Sequence, residues 1–147
     1  MKTLFIDFDG VLHPNFAGML SEPGEPVGIT LAIPELFIHV PRLAEIIQPY
    51  NVEVVVHSGW RMATPFADML RLLSPIADRL RCTTAPNLTR YEGIRCLVEA
   101  EGIQDYRILD DVAGEFPRKL PELILCDREL GLSTPGVEAQ LHSWLNR

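Results

Sequence analysis

Short apolar runs alternate with longer amphipathic stretches along this chain, and the alternation predicts most of its elements. Residues 3–8, TLFIDF, are mostly apolar and break at Asp9-Gly10. A short run of aromatic and branched residues stopped by glycine predicts a buried strand. Val52–His57, Arg107–Leu109 and Leu123–Cys126 repeat the pattern, and Arg79–Thr83 is a weaker fifth candidate.

Between these runs lie explicit helix starts. Thr64-Pro65, Ser74-Pro75 and Thr134-Pro135 each join a capping residue to a proline, which the first helical turn tolerates. Thr89, with Glu92 three residues later, has the form of a capping box, and Ile94, Leu97 and Val98 continue it as an apolar stripe at helical spacing. Pro41 opens another helix through Leu43, Ile46 and Ile47. Strands that alternate with helices predict an α/β domain spanning residues 1–147, with a mostly parallel five-stranded sheet covered by helices on both faces.

Residues 14–38 interrupt the alternation, holding four of the twelve prolines and no clean helical period. They read as an insertion with a turn at Pro23–Pro26. Long loops in compact domains are often lids, so the segment is either a flap beside a site or a passive surface loop.

Composition narrows the choice of function. The apolar fraction of 47% supplies a continuous core, while no apolar stretch approaches the roughly 20 residues needed to span a bilayer. Neither a signal peptide nor a membrane anchor is expected. Cys82, Cys96 and Cys126 are odd in number and widely spaced, which fits reduced core thiols and a cytoplasmic location by default. A net charge of −7 weighs against loose, charge-driven nucleic-acid binding. Residues 61–95 depart from that balance, with six arginines against three acids. This excess is either a solvated helix face or a surface for an anionic substrate.

Ligands of open α/β sheets bind beyond the carboxyl ends of the strands, so the polar residues just after each apolar run are the informative ones. They are Asp7, Asp9 and Gly10 after the first run, Ser58 and Gly59 after the second, and Asp110 and Asp111 after the fourth; Arg90 begins the capping-box helix. Four carboxylates converging on one edge need a cation among them. Oxygen donors without a paired His or Cys point to Mg²⁺ rather than zinc.

These residues carry a resemblance to the haloacid dehalogenase (HAD) superfamily of phosphotransferases. The matching segments are DFDGVL at 7–12, VVVHSGWR at 54–61 and LDD at 109–111. The run HSGWR, followed by an arginine-bearing helix and LDD, looks especially like the small HAD domains of Swiss Army Knife RNA repair proteins. The resemblance implies a three-layer Rossmann-like fold with no large cap domain and with 14–38 as a small flap. It also implies a phosphohydrolase in which Asp7 forms an aspartyl-phosphate and Asp9 acts as general acid/base. Ser58 and Gly59 would bind the phosphoryl oxygens. Mg²⁺ would be held by Asp7, Asp110, the Asp9 backbone carbonyl and, through the outer shell, Asp111.

The family commonly places a lysine between its second and fourth motifs, but Lys2 and Lys119 are the only lysines of this chain and neither lies there. Arg90 is the expected replacement, with Arg95 second, because a guanidinium holds phosphate and carboxylate at once. Trp60 and Arg61 read as packing residues, and His13 and His57 as members of hydrogen-bond networks. A phosphorylated small molecule is the expected substrate. A nucleic-acid end and a noncatalytic domain that binds Mg²⁺ and a phosphorylated ligand are the alternatives.

Overall fold

A computed structural model describes all residues, 1–147. Five strands form one sheet: β1 (Lys2–Ile6), β2 (Val52–Val56), β3 (Leu80–Thr83), β4 (Tyr106–Asp110) and β5 (Leu123–Leu125). Their spatial order is β3-β2-β1-β4-β5, and every pairing is parallel, so the expected mostly parallel sheet is wholly so. Parallel neighbours require crossovers, which helices supply except between β4 and β5, where the connection holds only the 3₁₀ turn Ala113–Glu115.

Side chains alternate across β1, and each face has its own layer. Leu4 and Ile6 join Val54 and Val56 in the larger core beneath helices α2 (Val40–Ile47), α3 (Phe66–Leu72) and α5 (Val137–Leu145). Phe5, Val55 and Ile108 face the other way, against Ile94 of α4 (Arg90–Glu101) and Phe116. This two-sided burial is why the strands read as near-continuous apolar runs.

Local chemistry shifts several predicted starts. Thr89 caps α4 as expected, its hydroxyl accepting the Glu92 N–H, and Pro41 sits in the first turn of α2. Pro65 itself occupies the capping position of α3, and Ser74-Pro75 opens a 3₁₀ turn, Ser74–Arg79, rather than an α-helix. Thr134 does not cap α5. Its hydroxyl accepts the Asp127 N–H and donates to the Gly131 carbonyl, so the helix begins later, after Gly136 at φ 91°. Of the cysteines only Cys126 is buried; Cys96 is exposed, contrary to the expectation of core thiols.

The 14–38 segment is small and carries only short regular pieces. It contains a 3₁₀ turn, Asn15–Leu20, a tight turn around Pro23-Gly24, and the short helix α1 (Val27–Leu31). Ala17, Val27, Thr30, Leu36 and Phe37 pin it to the core, whereas Phe16, Met19 and Ile29 remain exposed. No helix of the molecule is long and apolar enough to cross a membrane.

Strand register delivers the polar residues to one place. Ile6 of β1 lies level with Val56 of β2 and Leu109 of β4. The next residues, Asp7, His57 and Asp110, therefore emerge side by side. The chain runs from β1 outward through β2 to β3, then returns to place β4 on the other side of β1. That reversal opens a crevice between β1 and β4 at their carboxyl ends.

Candidate active site

Asp7 and Asp110 occupy this crevice, and both are buried. The Asp7 carboxylate accepts the Phe8 N–H at 2.8 Å and an Arg90 guanidinium N–H at 2.6 Å. The same nitrogen, Nη1, lies 2.9 and 3.1 Å from the two oxygens of Asp110. Asp110 also accepts the Val112 N–H at 2.9 Å and bonds to His57 Nε2 at 2.8 Å. Arg90 is the first residue of α4, directly after its cap Thr89. Arg95, one turn further, is exposed and pairs with Glu99.

Oxygens of Asp7, Asp110 and Asp111 lie within 4.8 Å of one another. Three carboxylates face one guanidinium, so the cluster carries excess negative charge. Burial and then the charge of Asp110 push the Asp7 carboxyl above its usual range. Burial, with Asp7 and Asp110 alongside, pushes Asp111 up to about 7. Burial also acts on Asp110, but the His57 hydrogen bond, the His57 and Arg90 charges and the Val112 N–H outweigh it and hold Asp110 below its usual value. Those same carboxylates overcome burial at Arg90 and raise it. A divalent cation among the three acids would relieve the repulsion, and the all-oxygen donor set fits Mg²⁺.

Gly10 makes the cluster possible. Its φ is 77°, and any Cβ there would overlap the Asp111 carboxylate, so only glycine turns the chain this tightly beside the acids.

Asp9 stands apart from the trio. Strand β1 ends at Ile6, so alternation along an extended strand does not set its direction. Its Oδ1 instead receives His13 Nε2 at 2.7 Å and the Trp60 indole N–H at 3.0 Å. The Phe37 N–H donates to His13 Nδ1 at 3.1 Å, which fixes the tautomer with the proton on Nε2. Phe37 makes this bond at φ 58°, a left-handed conformation that costs a bulky residue about 1–3 kcal/mol. Edge-on packing of Phe37 with Phe8, His13 and Trp60 holds it there. Gly18 presses on the Asp9 carboxylate so closely that a Cβ would overlap it. His13 and Trp60 thus fix one oxygen of Asp9, backed by Phe37 and Gly18 of the 14–38 segment, and Oδ2 is left without a protein hydrogen-bond partner.

Ser58 is buried beside the cluster, and its hydroxyl oxygen accepts the Trp60 N–H at 3.2 Å. Its own proton remains available to an acceptor. Gly59 opens the following 3₁₀ turn, Gly59–Met62, with open space where a side chain would stand. Arg61 donates to the carbonyls of His57, Ser58 and Leu88, tying the loop after β2 to the loop before α4. It is a brace, as the packing reading expects. His13, His57 and Trp60 belong to the site as partners of its acids; their positions beside the motif residues are the only sequence signal of that.

A family model described as the HAD domain in Swiss Army Knife RNA repair proteins matches residues 3–137. The chain belongs to this family. The matched span includes Asp7, Asp9, Ser58, Arg90, Asp110 and Asp111, and the all-parallel sheet agrees with the Rossmann-like HAD fold. Membership indicates phosphatase-like, hydrolase-type activity, and HAD domains generally use Mg²⁺. The comparison with curated proteins gives no match.

Proposed function

We propose that this HAD domain is a Mg²⁺-dependent phosphomonoester phosphatase acting on a small phosphorylated substrate. The observation that carries the reading is the division of labour between Asp7 and Asp9. Asp7 lies buried with Arg90 and two further acids, while Asp9 is clamped by His13 and Trp60 with one oxygen free.

In the first step an Asp7 oxygen attacks phosphorus, the ester P–O bond breaks, and Asp9 gives its proton to the departing alkoxide. In the second step water attacks the aspartyl-phosphate and Asp9 takes the water proton. The bond from phosphorus to Asp7 then breaks, returning the carboxylate and releasing phosphate. Arg90 favours the ionised form of Asp7 against the rise from burial and steers its oxygen, while Ser58 and the Gly59 N–H donate to the phosphoryl oxygens. Asp7, Asp110 and Asp111 would hold Mg²⁺, with the Asp9 carbonyl as the ligand that the family resemblance adds. The bound cation offsets the repulsion between an anionic nucleophile and an anionic phosphate.

The deciding experiment is a phosphomonoester screen with and without Mg²⁺, using Asp7→Asn as the blank. The wild type should turn over only with the metal, and Asp7→Asn and Asp9→Asn should both be inactive. Turnover by purified Asp7→Asn removes the nucleophile assignment. Binding of Mg²⁺ and phosphate without any turnover supports the noncatalytic alternative instead.

A second reading, phosphatase action on a nucleic-acid end, is favoured by the family description, which places such domains in RNA repair proteins. Oligonucleotides with a 3′-phosphate should then compete with a model substrate in a salt-dependent way. No competition removes this reading.

A further inference from the structure

We infer that the site accepts a cationic leaving group, the phosphomonoester of an amino alcohol, and disfavours anionic ones; this rests on the phosphatase reading above. A cavity of about 320 Å³ lies between the flap and the segment after β2, and Asp9 lines it. The group that protonates the departing oxygen therefore faces the space where the rest of the substrate must sit. That volume lies at the lower end of small-molecule sites.

The lining sets the charge of the occupant. Besides Asp9 it contains Glu22 and Glu25 and no lysine, arginine or histidine. Glu25 is held in place, since its Oε2 accepts the Ser21 hydroxyl at 2.9 Å and the Glu22 N–H at 3.0 Å. The turn at Gly24, φ 75°, brings the two glutamates to the rim. Trp60 contributes an aromatic wall. Carboxylates around an indole favour an ammonium group through ion pairing and cation–π attraction, and they repel a second phosphate or a carboxylate.

The arginine-rich stretch does not reverse this. Arg61 and Arg79 are engaged by backbone carbonyls, Arg81 by Glu53 and Glu101, Arg90 by Asp7 and Asp110, and Arg95 by Glu99. Five of the six arginines of residues 61–95 thus already have partners, so the stretch is no ready surface for a polyanion. A second phosphate entering this cavity would meet Asp9, Glu22 and Glu25 and no basic side chain.

The test compares kcat/KM for 3-aminopropyl, butyl and 2-carboxyethyl phosphates, which match in chain length and differ in leaving-group charge. The amine should exceed the carboxylate by about fivefold to tenfold. Glu22→Gln and Glu25→Gln should each bring the ratio toward one, and Glu22→Lys should invert it. Equal rates, or a preference for the carboxylate in the wild type, overturn the inference while the phosphatase reading stands. If neither these esters nor p-nitrophenyl phosphate is hydrolysed with Mg²⁺, the phosphatase reading fails and the inference falls with it.

Discussion

One nitrogen of Arg90 lies 2.6 Å from Asp7 Oδ2 across 83 residues of sequence, and the same nitrogen touches both oxygens of Asp110. The contact puts a cation beside both acids in a chain with no lysine between residues 3 and 118. A single guanidinium nitrogen stands between the nucleophile candidate and the acid on the neighbouring strand.

Arg90→Ala is expected to lower kcat/KM by about 10²–10³, the usual scale for loss of one preorganised charged donor. Arg90→Lys should recover part of that loss, because the shared contact is made by one nitrogen. Steady-state kinetics on any accepted phosphomonoester checks both. An Arg90→Ala enzyme within threefold of wild type would rule out the catalytic role.

His57 is fully buried and fixes Asp110 through Nε2. Partners that orient a metal ligand typically contribute 10- to 100-fold to affinity, so His57→Ala should raise the Mg²⁺ concentration for half-maximal activity by about that factor. His57→Gln, which retains a donor, should recover part of the loss. Thermal melts run in parallel separate this effect from a general loss of packing.

The acids also make stability depend on pH. Asp111 is raised from 3.8 to about 7 in the folded protein, so between those values the folded state binds more protons than the unfolded chain. Stability from this site is then present at low pH and is lost as pH rises from about 4 through about 7. Asp7 acts in the same direction, and Asp110, held low, acts oppositely below its ordinary range. Mg²⁺ favours the ionised acids, so it should raise Tm more at pH 8 than at pH 5.5. Asp111→Asn should flatten the metal-free pH slope; an unchanged slope would show that Asp111 is not its source.

Gly18 lies against the Asp9 carboxylate with no room for a Cβ. Gly18→Ala should push Asp9 away from His13 and Trp60 and reduce kcat by at least about tenfold, on the general scale for a displaced acid/base. Because the displaced group is half exposed, Tm should move far less than kcat does. Equal kcat values would mean that the flap does not position Asp9.

Much of this arrangement was legible from residue order. Short strands buried on both faces leave few polar residues in their runs, so Asp7, Ser58, Asp110 and Asp111 stand out at the strand ends. Thr89 and Glu92 announced α4 because capping is local chemistry between neighbours. Thr134 misled for the converse reason: its hydroxyl serves a turn involving Asp127 and Gly131, a competition that a local motif does not display.

Sequence alone determined the strand–helix alternation, the acids at the strand ends and the lack of any lysine between residues 3 and 118, since periodicity and side-chain chemistry are written residue by residue. Tertiary structure decided that Arg90 rather than Arg95 meets the acids, that Asp9 is clamped by His13 and Trp60, and that the neighbouring cavity is acidic. Those outcomes depend on strand register and on where the flap packs. Both bring together residues whose separation along the chain carries no record of their distance in space.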